Sequence, residues 1–201
     1  MNENEVQKLK VQLRRIAHAN RRKQTNKDEL SRRIVGAFMA LPEYATATTV
    51  LFYVGVRSEV RTRHGLMDAL ESDKTIVVPW CNADGTLELF RLNSVEEMAV
   101  GRYEIPEPHE NLRHLPEKQM SVEELDLIMV PGVGFDARGT RMGHGKGYYD
   151  RLLEHARVDT PLIALAFECQ MLPEIPSASH DVFMDKVITE DCVYQGRGRC
   201  G

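Results

Sequence analysis

The chain has 201 residues, enough for one domain with a sizeable core, and its 42% hydrophobic and 28% charged residues are the balance of a soluble globular protein. No apolar run approaches the roughly 20 residues of a membrane span, the opening MNENEVQKLK lacks a secretory h-region, and Cys81, Cys169, Cys192 and Cys200 show no CxxC spacing, so a cytoplasmic protein with reduced thiols is expected and no zinc site. The net charge of −4 hides an asymmetry: residues 1–33 hold ten Lys/Arg and four acids, +6, which leaves −10 on the other 168. A basic arm on an acidic body suits a polyphosphate or nucleic-acid ligand, while a charge run alone also describes a solvated helix face.

Val6, Leu9, Leu13 and Ile16 recur at helical spacing and predict an amphipathic basic helix within residues 1–24, with Lys10 and Arg14 four apart on one edge. Asn26 and Glu29 read as a capping box for a second helix, whose stripe is Leu30, Ile34, Val35, Phe38 and Leu41 and whose end is at Pro42. The run Thr48–Val54 is β-branched and aromatic and predicts a buried strand. A helix over 62–71 and a strand over 74–79 follow, then a turn at 83–86 and a strand over 87–91. Residues 92–124 are rich in Pro and Glu without periodicity and predict a long surface loop with short helices. Strands at 126–131, 161–166 and 185–193 and a helix over about 146–157 complete the set. Strands that alternate with helices, several continuously apolar, imply an α/β fold with a largely parallel sheet covered on both faces.

The most informative segment is PGVGFDARGTRMGHGKGYYDR, residues 131–151. Gly139, Gly143, Gly145 and Gly147 lie within nine residues, interleaved with Arg141, His144 and Lys146, between an apolar strand and a helix start. Glycines admit a close backbone approach, and N–H groups with nearby cations hold anions, so phosphate is the expected guest. The same pattern also serves a plain tight turn, and Lys146 and Arg141 inside the loop favour the anion. It is not a Walker A loop, because Gly147 rather than Ser or Thr follows Lys146, and G-x-G-x-x-G is absent. A bound metal would therefore need a carboxylate, for which Asp150 is nearest.

This block resembles the 5-formyltetrahydrofolate cyclo-ligase family, also called 5,10-methenyltetrahydrofolate synthetases. Four further matches occur in order: Lys10-x-x-Leu13-Arg14, Glu59-Val60-Arg61-Thr62, Ile105-Pro106-Glu107-Pro108 and His180-Asp181. The resemblance covers nearly the whole chain, stopping before Arg197–Gly201, and implies a three-layer α/β/α sandwich related to sugar-phosphate isomerases and CoA transferases; residues 1–201 are expected to form one domain. It implies an ATP- and Mg²⁺-dependent ring closure of 5-formyltetrahydrofolate to 5,10-methenyltetrahydrofolate, and a monomer without nucleic-acid or membrane partners is expected. Carried over by position, Lys10, Arg14 and Arg141 to Tyr149 (Arg141, Met142, Gly143, His144, Gly145, Lys146, Gly147, Tyr148, Tyr149) match the ATP site, with Arg141, His144 and Lys146 as the catalytic charges. Val56, Glu59, Glu107 and the stretch from His144 through Gly145, Lys146 and Gly147 to Tyr148 match the folate side. Asp150 and Asp181 match the Mg²⁺ carboxylates. Tyr148, Tyr149 and Trp80 are candidates to pack on the folate rings.

Two departures stand out. His144 occupies a position where the family often has Arg, and Arg61 one where an acid is common. Two alternatives remain at this level: a paralogue with the same ATP site and another substrate, or a non-catalytic nucleotide- or RNA-binding module, for which no RNP-like aromatics are present.

Overall fold

Leu127, Ile128, Met129 and Val130 are all fully buried, as are Leu162, Ile163 and Ala164. Strands with no exposed side must have layers on both faces. The computed structural model describes residues 3–82, 84–101, 106–177 and 181–199. Its helices are α1 (Glu3–Lys23), α2 (Lys27–Met39), α3 (Pro42–Thr46), α4 (Arg63–Leu70) and α5 (Tyr148–Glu154). Its strands are β1 (Thr49–Leu51), β2 (Thr75–Cys81), β3 (Leu87–Leu92), β4 (Met98–Val100), β5 (Pro106–Pro108), β6 (Gln119–Met120), β7 (Leu127–Val130), β8 (Gly134–Phe135), β9 (Arg141–Met142), β10 (Leu162–Leu165), β11 (Lys186–Ile188) and β12 (Val193–Gln195).

One eight-stranded sheet runs β12-β11-β10-β7-β1-β2-β3-β6. It is parallel from β11 to β2 and antiparallel at both edges. Leu51 lies opposite Val77 on one side and Ile128 on the other. Because side chains alternate across a strand, Val50, Ile76, Val78, Leu127 and Met129 enter one core with Ile34, Val35 and Phe38 of α2 and Leu66 of α4. Leu51, Val77, Ile128 and Val130 enter the opposite core with Leu153 of α5. Helices thus pack on both faces, as expected. A third, smaller core seats α1: Ala17 packs with Val133, Met142, Leu172 and Ile175. These residues follow the carboxyl ends of β7 and β10, so α1 lies across that end of the sheet.

Several expected boundaries shift. Ile16 is exposed and Ala17 is buried, so the docked stripe of α1 is rotated from the expected one. Asn26 adopts a left-handed conformation (φ 51°) and its side chain caps nothing, so the capping box is absent. Pro42 opens α3 instead of ending α2, a position where its missing N–H costs nothing. β1 ends at Leu51, although Phe52 N–H still donates to Val77 O (2.8 Å), and the next carbonyl, that of Tyr53, accepts from the Thr62 hydroxyl (2.6 Å). The last expected strand is a hairpin, turned where Thr189 N–H donates to Cys192 O (3.0 Å). The 92–124 loop holds the β4–β5 hairpin and the edge strand β6, elements of two or three residues with no period to detect. The glycine segment begins as a small β8–β9 hairpin whose turn is held by Asp136, and α5 starts only at Tyr148, after Gly147 at φ 70°.

Candidate active site

From β1 the chain passes through α4 to β2 on one side, and from β7 through α5 to β10 on the other. Strand order therefore reverses between β1 and β7, and the loops leaving their carboxyl ends diverge around a crevice, the usual ligand position in such sheets. The loop after β1 carries Glu59. The loop after β7 carries residues 131–147. α1 closes the crevice from above.

Along the glycine-loop side, Lys10 and Arg14 of α1, Arg141, Met142, Gly143, Gly145, Gly147, Asp150 and Asp181 line one cleft of about 240 Å³. Lys10 Nζ donates to Asp181 Oδ2 at 2.7 Å, and Arg14 Nε to Gly143 O at 3.0 Å. The Arg141 side chain is only 4% exposed, yet it holds the Asp150 carboxylate, itself 57% exposed, and donates to Pro131 O at 3.2 Å. Gly145 has φ 90°, where a side chain would be strained, so glycine is required to turn the loop back beneath Arg14. Lys146 is exposed and rests over the Tyr148 ring at 5.6 Å. Met142 borders the cleft while its side chain is buried in the seat of α1.

On the other side, Glu59 is 7% exposed. Its Oε2 accepts from Val56 N–H at 3.1 Å, and its Oε1 faces Arg21 Nη1 at 3.7 Å and His144 Nε2 at 3.8 Å. Burial pushes the Glu59 pKa up, against the opposing pull of Arg21, the Val56 N–H and Arg57. The His144 ring is half-exposed and lies 5.4 Å from His18 of α1. Partial burial, then Arg21, His18, Arg141 and Arg57, bring its pKa down to about 4, so it is a neutral imidazole at neutral pH. Tyr149 is wedged against both large cores with its hydroxyl buried and unpartnered among the described residues.

Two expected folate-side residues form a separate cluster. Glu107 is held by Arg113 at 3.1 Å, and Arg113 lies 4.6 Å over the Trp80 ring. Trp80 is 6% exposed and packed in the core. Ile105 and His180 of the family-like segments fall outside the described residues. Of the basic residues of α1 the sequence singled out only Lys10 and Arg14, and so missed Arg21, which is buried. The available signal was its place in the 10, 14, 18, 21 row.

The sequence profile of the 5-formyltetrahydrofolate cyclo-ligase family matches residues 3–190. The chain belongs to this family. A 5-formyltetrahydrofolate cyclo-ligase from Mus musculus is 34% identical over 157 residues, 74% of this chain and 76% of its own length. The NMR structure of 5,10-methenyltetrahydrofolate synthetase from Aquifex aeolicus superposes with a TM-score of 0.79 at 30% identity, over 94% of this chain and 93% of that one. A 5,10-methenyltetrahydrofolate synthetase structure from Mycoplasma pneumoniae shares the fold, with a TM-score of 0.71 at 21% identity, over 90% and 98% of the two chains. Family membership extends across both loops of the crevice and not the glycine segment alone.

Proposed function

We propose that the chain, as one domain and as a monomer, converts 5-formyltetrahydrofolate to 5,10-methenyltetrahydrofolate at the expense of ATP and with Mg²⁺. The observation that carries this reading is the cleft in which Lys10, Arg14 and Arg141 face the 143–147 glycines, beside a buried acid, Glu59, on the opposing loop. The first is suited to a triphosphate. The second is suited to paired hydrogen bonds from an amino-pyrimidine edge.

Chemically, an amide oxygen is a poor leaving group. The formyl oxygen attacks the γ-phosphorus and ADP leaves, which gives an imidate phosphate at N5. N10 then attacks the formyl carbon, loses its proton, and phosphate departs with the former formyl oxygen. No covalent bond to the protein is needed, so the side chains position reactants and offset charge. Lys10, Arg14, Arg141 and Lys146 surround the phosphates. Glu59 orients the pterin, with Val56, Glu107 and Tyr148 on the folate side.

Asp150 and Asp181 line the same cleft, and among the described residues no group of three His, Cys, Asp or Glu forms an all-protein metal cage. Two carboxylates beside a phosphate site fit Mg²⁺, which takes hard oxygens and completes its shell with phosphate and water. When bound, the ion would supply charge neutralisation to the transferring phosphoryl group. Cations occupy both carboxylates here, Lys10 on Asp181 and Arg141 on Asp150, and both turn toward phosphate in this reading.

The test is an absorbance assay at the methenyl-folate band with purified protein, 5-formyltetrahydrofolate and Mg-ATP, beside Asp150→Asn. ATP-dependent growth of the band, lost in the variant, is expected. Tight Mg-ATP binding without product would reject the folate substrate and leave the phosphate site standing.

A further inference from the structure

α1 presents Lys10, Arg14, His18 and Arg21 at spacings of four, four and three, one row on a helix of about 3.6 residues per turn. Lys10 and Arg14 meet the nucleotide side of the crevice and His18 meets His144. Arg21 ends the row and is only 3% exposed. Its Nε donates to Ser58 Oγ at 3.0 Å, its Nη1 donates to Gly132 O at 3.0 Å, and the same Nη1 stands 3.7 Å from Glu59 Oε1. One guanidinium thus joins α1 to the loop after β1 and to the loop after β7. Docking α1 does not by itself call for a buried cation, since Ala17 and Leu13 already pack on Val133, Met142, Leu172 and Ile175. Burying a guanidinium costs hydration that only well-placed hydrogen bonds and an opposite charge offset, and Ser58, Gly132 and Glu59 supply these here.

We propose that Arg21 is a positioning residue of the reaction, which holds the Glu59 carboxylate in place and ionised so that it can receive the substrate. The contact stands on the geometry; the identity of what Glu59 receives rests on the cyclo-ligase reading.

The groups that face Glu59 are Arg21 from α1, Arg57 from its own loop, His144 from the nucleotide loop, Tyr53 from the end of β1 and Tyr149 from α5. His144 is neutral at neutral pH, and burial raises both tyrosine pKa values, so all three are uncharged there. The ionisation of Glu59 against its burial therefore depends on Arg21 first, then on the Val56 N–H and Arg57. Without Arg21 the carboxyl takes up a proton at higher pH. A protonated acid cannot accept two hydrogen bonds from an amino-pyrimidine edge.

The experiment compares wild type, Arg21→Lys, Arg21→Met and Ser58→Ala, varying 5-formyltetrahydrofolate at saturating Mg-ATP across acid to neutral pH. The Glu59 carboxyl carbon is titrated by NMR in parallel, assigned with Glu59→Gln. For Arg21→Met the expected result is a folate KM raised roughly tenfold or more with a much smaller change in the ATP KM. The acid limb of kcat/KM for folate moves up by about one pH unit or more, together with the Glu59 carbon titration. Arg21→Lys restores part of both. Loss of thermal stability with both KM values raised alike and the limb unmoved would mean docking only, and would overturn the proposal. If neither Arg21 variant folds, Ser58→Ala decides: an unmoved Glu59 titration there overturns it, and an upward one supports it. Absence of methenyl product from wild type would sink the cyclo-ligase reading instead, while the carbon titration still reports the Arg21–Glu59 contact.

Discussion

The Lys10 ammonium lies 2.7 Å from the Asp181 carboxylate, joining residues 171 apart in the chain at the edge of the cleft beside the glycine loop. Lys10 belongs to α1 and Asp181 to the segment before β11, so the pair bridges the arm to the body. A charge-assisted bond of this kind contributes about 1.5–3 kcal/mol, or roughly 10- to 100-fold in affinity when its phosphate counterpart is lost. Lys10→Met is expected to raise the ATP KM by that range with the folate KM nearly unchanged. Asp181→Asn is expected to raise the Mg²⁺ concentration for half-maximal rate. Titrations of ATP and Mg²⁺ against initial rate separate the two effects, and a purely folate-side change in either variant would contradict the assignment.

Arg141 and Asp150 differ in environment although they are paired: the first is buried and the second faces solvent. Truncating the buried partner leaves Pro131 O without its donor and opens a hole, which costs about 1–3 kcal/mol. Arg141→Ala is therefore expected to lose both thermal stability and turnover. Asp150→Asn is expected to lose turnover with its melting temperature within a degree or two of wild type, since surface substitutions of this kind stay within about 0.5 kcal/mol. Differential scanning calorimetry beside the absorbance assay tests both; a large stability loss in Asp150→Asn would make the acid structural.

The central fold was readable in the chain where patterns are long. The apolar runs of β7 and β10 announced strands buried on both faces, and the strand–helix alternation announced a parallel sheet. The edges were not readable, because β6 has two residues and β12 three, and pairing of such short segments is decided by their neighbours. In the crevice, Gly145, Gly147, Lys146 and Arg141 were visible as a local cluster, whereas Lys10, Arg14, Glu59 and Asp181 emerged only through family resemblance. Arg21 shares a helical row with Lys10, Arg14 and His18, but among ten basic residues in the first 33 that spacing alone does not show which one tertiary docking buries. The same blindness made Ile16 look like core and Asn26 look like a cap.

The glycine loop hangs from a scaffold that can be tested apart from catalysis. Asp136 is fully buried, and its carboxylate accepts from the backbone N–H groups of Arg138, Thr140 and Ile175, each at 3.0 Å. Arg138 adds a guanidinium contact at 3.0 Å. Removing a buried, hydrogen-bonded carboxylate strands all of these donors, with an expected cost of about 3–5 kcal/mol. Asp136→Ala should melt far below wild type, while Arg138→Ala, whose side chain is partly exposed, should fall much less. Equal losses would show that the ion pair and not the backbone cradle holds the turn.

His144 gives a pH signature with a definite sign. Its folded pKa of about 4 lies below the unfolded value near 6.5. Between these values the unfolded chain binds a proton that the folded chain does not, so unfolding is favoured as pH falls. The stability associated with this histidine is fully present above about pH 6.5, declines as pH drops toward 4, and falls no further below that. His144→Gln removes this titration and leaves the other groups in place. The difference in melting temperature between wild type and His144→Gln is therefore expected to shift in favour of the variant on acidification through that window. A difference that stays constant with pH would mean that His144 titrates normally in the folded protein, and that the cations of α1 and the loop do not reach it.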